Sequence, residues 1–285
     1  MSAHLELLRS QPWFHTIDLP DGSCTPGVFD TRACSARLDW PALGGARCLD
    51  VGTCDGFWAF EMERRGASEV IAIDVDDPTQ LDLPGPLRDE QVESLRRSAA
   101  KRKARFELAA GALSSRVRRL PCSVFDLDPA THGTFDVLFC GSLLIHLREP
   151  VRALERMVRV CRGELLLLEP VDARLDFLRR ATPCARLEPV PMQWWRPNTA
   201  GLKAMLRLAG FDVVSTSRHF LTPNGAGLYF AHPPRGPLSR ANAWMRTRLA
   251  ATQAPLVTGA LGLAFGTYDV AVRARPRSPV TSARA

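Results

Sequence analysis

The stretch from Arg47 to Asp77, R-C-L-D-V-G-T-C-D-G-F-W-A-F-E-M-E-R-R-G-A-S-E-V-I-A-I-D-V-D-D, reads as strand, tight glycine turn, helix and second strand. Cys48, Leu49 and Val51 form a short apolar strand, and Gly52 and Gly56 supply a turn where backbone approaches a ligand with no Cβ in the way. Phe57, Phe60 and Met62 give the helix its apolar surface. Gly66 closes it as a C-cap, and Val70 to Ile73 make a second buried strand that ends on Asp74. Asp74 lies 22 residues beyond Gly52, close to the spacing of about 20 at which a nucleotide-binding strand–helix–strand unit sets an acid on ribose hydroxyls. The unit therefore predicts a ligand that carries a ribose.

Dinucleotide enzymes and S-adenosylmethionine (SAM) enzymes both use such a unit. A dinucleotide fingerprint requires G-x-G-x-x-G, with the middle glycine letting backbone amides reach a pyrophosphate; here that position is Cys54, so the match to NAD is poor. The segment L-D-V-G-x-x-D-G instead resembles motif I of class I SAM-dependent methyltransferases, with Gly52, Asp55 and Gly56 on the pattern and Cys54 departing from the more usual glycine. Upstream, W-F-H-T-I-x-L-x-D-G from Trp13 to Gly22, followed by T-P-G, resembles the N-terminal arm of the tRNA wobble-uridine carboxymethyltransferase-like group, where the arm closes over the cofactor. The resemblance extends to about residue 211. It implies an α/β fold, a class I methyltransferase Rossmann-like sandwich whose mostly parallel seven-stranded sheet has an antiparallel last strand.

With 285 residues, 46% of them hydrophobic, the chain can bury a sizeable core, and one catalytic domain with appendages is expected. The expected division is an N-terminal arm or lid at 1–39, a SAM-dependent domain at 40–274 with a substrate-side insertion at 218–264, and a disordered tail at 275–285. Eight cysteines show no C-x-x-C pair and read as reduced thiols of a cytoplasmic protein. The N-terminus lacks a basic region followed by an apolar one, and no apolar run reaches membrane-spanning length, so secretion and a membrane partner are not expected. A net charge of +7 decides little when the arginines are spread so widely.

Residues 1–10 read as a short helix, and the Pro- and Gly-punctuated segment after it as irregular, with Trp13, Phe14 and Ile17 covering apolar surface. A polar helix is expected from Arg88 to about Leu113. Its cluster Arg96, Arg97, Lys101, Arg102, Lys103 and Arg105 reads as a solvated face rather than a phosphate track, because Phe106 alone offers base stacking. Val117 to Val124 reads as the third strand and F-D-V-L-F-C from Phe135 as the fourth. From Pro150 a helix with Val151, Leu154, Val158 and Cys161 on one face is expected to stop at Gly163, before the strand E-L-L-L-L-E. Asn198 reads as the N-cap of a helix carrying Leu202, Met205 and Leu206. F-D-V-V-S-T-S and G-T-Y-D-V-A-V-R-A-R read as the last two strands, with a helix near P-L-S-R-A-N-A-W-M-R between them.

By the resemblance, cofactor contacts fall on Trp13, Asp50, Gly52, Thr53, Asp55, Gly56, Phe57, Asp74 and Val75, on Val124 and Phe125 around adenine, and on Cys140 and Gly141. Candidate catalytic residues are His146, whose imidazole titrates near neutrality, His15 and Glu169. His146 also reads as a histidine packed beside the cofactor, and Glu169 as a carboxylate bonding the next loop. Trp194, Trp195 and Asn198 are candidates for the substrate side. There is no cluster with metal-ligand spacing.

Three functions compete: methyl transfer from SAM to an O, N or C nucleophile of a small molecule, tRNA wobble-uridine modification, and SAM binding without catalysis. Plain SAM is the expected donor. Near the transferable carbon, C-G-S-L-L-I-H-L-R-E-P supplies only His146 and Arg148 as partners for the extra carboxylate of carboxy-SAM.

Overall fold

The structure, a computed structural model, describes residues 13–82, 89–188, 193–227 and 268–277, with isolated positions between 237 and 248. In chain order its elements are β1 (Trp13–His15), β2 (Gly27–Phe29), α1 (Arg32–Ser35), β3 (Arg47–Val51), α2 (Phe57–Arg64), β4 (Glu69–Asp74), α3 (Asp89–Leu113), β5 (Arg118–Pro121) and α4 (Pro129–His132). Then follow β6 (Phe135–Gly141), α5 (Pro150–Val160), β7 (Cys161–Val171), α6 (Ala173–Leu178), β8 (Ala185–Leu187), β9 (Trp195–Pro197), α7 (Thr199–Leu208), β10 (Phe211–Thr216) and β11 (Tyr268–Pro276). The helices expected at 1–10 and near 237–249, and the tail beyond Arg277, lie outside the described residues or nearly so.

The main sheet has seven strands in the order β10-β11-β7-β6-β3-β4-β5, and β11 runs antiparallel to both of its neighbours while the other pairs are parallel. Helix crossovers carry β3 to β4 and β4 to β5, and the chain then returns to the other side of β3 to begin β6. The carboxyl ends of β3 and β6 thus flank the point where strand order reverses, the usual ligand crevice of an open α/β sheet.

Strand alternation explains why the core divides into two layers. Leu49, Val51, Leu138, Leu165 and Leu167 point to one face, where Leu154, Met157, Leu202 and Leu206 of α5 and α7 cover them. Cys48, Val137, Phe139, Leu166 and Leu168 point to the other, against Trp58, Phe60, Phe106 and Trp13. Both faces are buried, so these strands read as continuous apolar runs.

Four boundaries differ from the sequence reading. The arm is not wholly irregular: β1 and β2 pair in parallel, Trp13 with Gly27 and His15 with Phe29. The third strand stops at Pro121, because Ser123 Oγ accepts the Phe125 amide and starts a 3-10 turn over Val124–Asp126. Helix α5 centres its buried face on Ala153, Leu154, Met157 and Val160, with Val151 and Val158 of the expected stripe half-buried at the margin of the same core. It passes directly into β7 at Cys161, so Gly163 lies within a strand. Finally, β11 extends through Pro276, and Arg277, the third residue of the expected disordered tail, donates its N–H to the Gly210 carbonyl at 2.8 Å.

After β10 the chain packs back on the arm: the Gly225 and Gly227 amides donate to the Val28 and Gly27 carbonyls at 2.8 Å each. The start of the expected insertion at 218–264 is therefore part of the structure around residues 26–28.

Gly163 is required by close approach, since a Cβ there would stand 2.2 Å from the Asp136 carbonyl oxygen. Gly163→Ala should force β6 and β7 apart at the register irregularity between Phe135 and Val137 and cost about 1–3 kcal/mol. Urea unfolding followed by circular dichroism measures this; an unchanged midpoint would show that the strand gap absorbs a methyl group.

Candidate active site

The glycine turn after β3 is tied to the end of β4 by two amides, Gly52 N–H at 2.9 Å and Thr53 N–H at 3.0 Å from the Ile73 carbonyl. Cys54, in the position where a glycine is more usual, has φ of 54°, a left-handed conformation that costs a non-glycine residue about 1–2 kcal/mol. Gly56 follows at φ 95°, where a Cβ would also stand 2.5 Å from the Phe60 ring.

Asp55 is fully buried and joins the arm to this turn. Its Oδ2 accepts the Phe14 and His15 amides at 2.9 Å each, and its Oδ1 lies 2.5 Å from His15 Nδ1. A carboxylate accepts, so the His15 Nδ1–H donates to it. The His15 ring also stacks on Phe57, with centroids 5.4 Å apart. Trp13 does not reach the ligand side; it is 1% exposed and belongs to the core beneath the arm.

Arm, turn and strand ends enclose a cavity of about 370 Å³. Phe14 and His15 line one side, with Gly52, Cys54, Asp74 and Val75 next to them. Asp74 Oδ2 accepts the Cys54 amide at 3.0 Å and Oδ1 the Val75 amide at 2.8 Å. Each oxygen therefore retains acceptor capacity for a ribose hydroxyl. Ser123, Val124 and Phe125 form an adjoining apolar slot, followed by Gly141, Ser142, Leu143, His146 and Leu147. A carboxylate pair of acceptors beside an apolar slot, at the strand-order reversal, fits a nucleoside.

Several predicted contacts lie behind this surface rather than on it. Asp50, Thr53, Asp55 and Phe57 are buried under the turn, and Cys140 is in the core while Gly141 lines the cavity. Burial pushes the Asp50 carboxyl up to about 7. Glu169 is likewise displaced from the cavity. Its Oε1 accepts the Leu143 and Leu144 amides at 2.8 and 2.9 Å, which positions the 3-10 turn Leu144–His146. Burial pushes its carboxyl up to about 8 against the effect of those amides.

The substrate-side candidates also act through neighbours. Trp194 Nε1–H donates to the Asp82 carbonyl at 2.5 Å, supporting the loop whose Gln80, Leu81 and Asp82 line the cavity. Trp195 Nε1–H donates to the Arg148 carbonyl at 3.1 Å. Asn198 caps α7 through Gly201 N–H at 2.7 Å and donates to the Arg179 and Thr182 carbonyls, so its side chain is fully occupied.

The basic helix requires a correction. Arg96, Arg97, Lys101 and Lys103 are exposed as expected, but Arg102 and Arg105 are half-buried and line the cavity. A signal was present: Arg102, Arg105, Phe106 and Ala109 follow helical i, i+3, i+4, i+7 spacing, and Phe106 and Ala109 are core residues. Arg148, by contrast, lies over the Trp194 ring at 4.7 Å and beside Asp82 at 3.6 Å.

Residues 49–167 match the family model described as a methyltransferase domain. Among curated relatives, a tRNA U34 carboxymethyltransferase of Pseudomonas paraeruginosa is 33% identical over 171 residues, 59% of this chain and 46% of that protein. One from Methylococcus capsulatus is 28% identical over 228 residues, 77% of this chain and 60% of that protein. The chain spans about half the length of most curated relatives it matches. Among solved structures, the N-terminal domain of EvdMO1 with SAH bound aligns over 97% of this chain and 100% of its own, at 18% identity and a TM-score of 0.54, which is a likeness of fold. No helix among the described residues is long and apolar enough to cross a membrane.

The two raised carboxyls predict a pH dependence. Between about pH 4.5 and 8 the folded chain holds protons on Glu169 that the unfolded chain has released, so stability is complete at the acidic end and falls as pH rises through this window. Glu169→Gln keeps an acceptor for both amides and should remove that decline throughout the window, leaving below about pH 7 only the part due to Asp50. Glu169→Ala should instead cost about 1–3 kcal/mol by stranding two buried amides. Melting temperatures from pH 5 to 9 measure both; equal slopes in wild type and Glu169→Gln would refute the assignment.

Proposed function

We propose that this chain, whose residues 49–167 match a methyltransferase domain, transfers a methyl group from SAM to an oxygen, nitrogen or carbon nucleophile of a small molecule. The observation that carries the reading is the single cavity in which Asp74, at a strand's carboxyl end, shares a wall with the apolar surface of Phe14, Leu143 and Leu147 around His146. One end suits a ribose, and the other a compact acceptor held away from water.

Asp74 binds the ribose hydroxyls, Val124 and Phe125 sandwich the adenine, and the backbone around Gly52 and Gly141 follows the amino-acid part. When bound, SAM supplies a methyl group made electrophilic by the sulfonium. His146 orients the acceptor or takes its proton, with geometry as the first requirement. The arm, fixed by Asp55, excludes water, and holding two partners in line contributes about 7–11 kcal/mol without a metal or covalent nucleophile.

The names of the curated relatives favour a second reading, tRNA modification by methyl or carboxymethyl transfer. Along Gly141 to Leu147 the lining side chains are Ser142, Leu143, His146 and Leu147, with no guanidinium among them; the guanidiniums that do reach the cavity, Arg102 and Arg105, line it together with Cys54, Asp74 and Val75 from a different element. That favours SAM as the donor.

Incubating the protein and SAM separately with a metabolite extract and with total tRNA should give a small molecule heavier by one methyl group; a modified or carboxymethylated tRNA nucleoside would replace the first reading by the second. Asp74→Ala should weaken SAH binding about 10- to 10⁴-fold, the loss of one or two charge-assisted bonds of about 1.5–3 kcal/mol each. Calorimetry with SAH and NAD tests it, and tight NAD binding or unchanged SAH affinity would overturn the cofactor. His146→Ala should lower kcat by about 10²- to 10⁴-fold if the imidazole moves a proton; unchanged kcat with raised KM would reduce it to a positioning residue.

A further inference from the structure

Arg102 and Arg105 stand three residues apart on α3 with their side chains on the cavity wall beside Cys54, Asp74 and Val75. Both are half-buried. Arg102 Nη2 donates to the Val75 carbonyl at 3.4 Å, yet the Nε of each guanidinium is buried and has no hydrogen-bond partner among the described residues. The nearby acids engage other groups, and the acceptor capacity that Asp74 keeps is that assigned to the ribose. Asp55 accepts from the arm, Asp74 accepts the Cys54 and Val75 amides, and Asp76 lies 2.7 Å from Arg119. The exposed Arg97 of the same helix pairs with Glu93 at 3.4 Å, whereas no ion pair to a carboxylate is formed by Arg102 or Arg105 among the described residues.

Two adjacent guanidiniums withdrawn from water repel each other and lose hydration, and burial with the neighbouring Arg102 charge lowers the Arg105 pKa from its ordinary value. A chain that keeps them there gains when an anion enters between them. Guanidinium forks match planar or tetrahedral oxyanions with two parallel hydrogen bonds.

We propose that Arg102 and Arg105 form an oxyanion subsite of this cavity, binding a carboxylate or phosphate brought in either by the cofactor or by the acceptor. The proposal rests on the reading of the cavity as the SAM site. The cofactor source is its amino-acid carboxylate; the acceptor source is an acidic group of the molecule to be methylated.

The test uses the full chain, Arg102→Gln/Arg105→Gln, and Arg102→Lys/Arg105→Lys as the charge-keeping control, with far-ultraviolet circular dichroism and melting to check folding. Calorimetry is run with SAH, with decarboxylated SAM, and with inorganic pyrophosphate added to the SAH-loaded protein. A tenfold or greater loss of SAH affinity in the Gln variant, with decarboxylated SAM unaffected and partial recovery in the Lys variant, assigns the subsite to the cofactor's carboxylate. An unchanged SAH affinity with pyrophosphate binding abolished assigns it to an acceptor's anion. Equal weakening for SAH and decarboxylated SAM, or no change in any titration, overturns the proposal. If wild type binds SAH in either of those cases, the cofactor reading survives. A wild type that ignores SAH but binds pyrophosphate through the arginines removes the cofactor reading and keeps the subsite.

Discussion

The buried carboxylate of Asp55 is the constraint on which the rest of the site depends. It sits in the turn between β3 and α2 and accepts three hydrogen bonds from a segment about forty residues earlier. Without them, β1 and β2 would be a two-stranded pair too small to be stable alone. With them, Phe14 and His15 become a wall of the cavity and Trp13 a core residue below it. A single desolvated acid converts an N-terminal arm into part of a binding site, and removing one partner of such an arrangement costs several kcal/mol because the other is left buried and unmatched. The descent of residues 220–227 onto residues 27–30 braces the same arm from outside, through amides rather than charge.

A second buried acid does for the opposite wall what Asp55 does for the arm. Glu169 leaves the sheet on the face covered by α5 and α7, and its Oε1 gathers the amides of Leu143 and Leu144. The 3-10 turn so formed presents Leu143 and His146 to the cavity. Strand parity dictates which acid goes where: Glu169 shares the face of Leu165 and Leu167, whereas Asp50 shares that of Cys48 under Trp58. Both acids work from behind the wall, which is why a residue at a strand's reactive end need not touch what binds there.

Much of the fold was legible in the sequence because its signals are local. Gly52, Gly56 and Gly66 punctuate one strand–helix–strand unit and Asn198 caps a helix, while the seven strands with an antiparallel β11 are what the family resemblance implied and the sheet has. What was not legible depends on contacts across the chain. The end of α5 at Val160 rather than at Gly163 was not legible, because Cys161 begins a strand by pairing with Phe135. Val124 left the third strand because Ser123 offers the backbone a capping bond that competes with the ladder. Glu169 was legible as a carboxylate bonding a loop, but which loop, the one after β6 rather than the next in sequence, is set by its partners Leu143 and Leu144, and the Trp194 bond to the Asp82 carbonyl spans 112 residues.

Charge shows the same limit in its clearest form. Reading along the chain from β6, the cations available to the cavity are His146 and Arg148, and the expectation of a nearly uncharged pocket follows. In space Arg148 is drawn off by Trp194 and Asp82, while α3 delivers Arg102 and Arg105 from across the sheet edge. Helical periodicity decides this: a 25-residue helix that buries Phe106 and Ala109 must turn the residues sharing their stripe inward, arginines included. A basic helix is therefore not uniformly a solvated face. The phase of its charges relative to its apolar residues determines which of them water covers and which face the cavity.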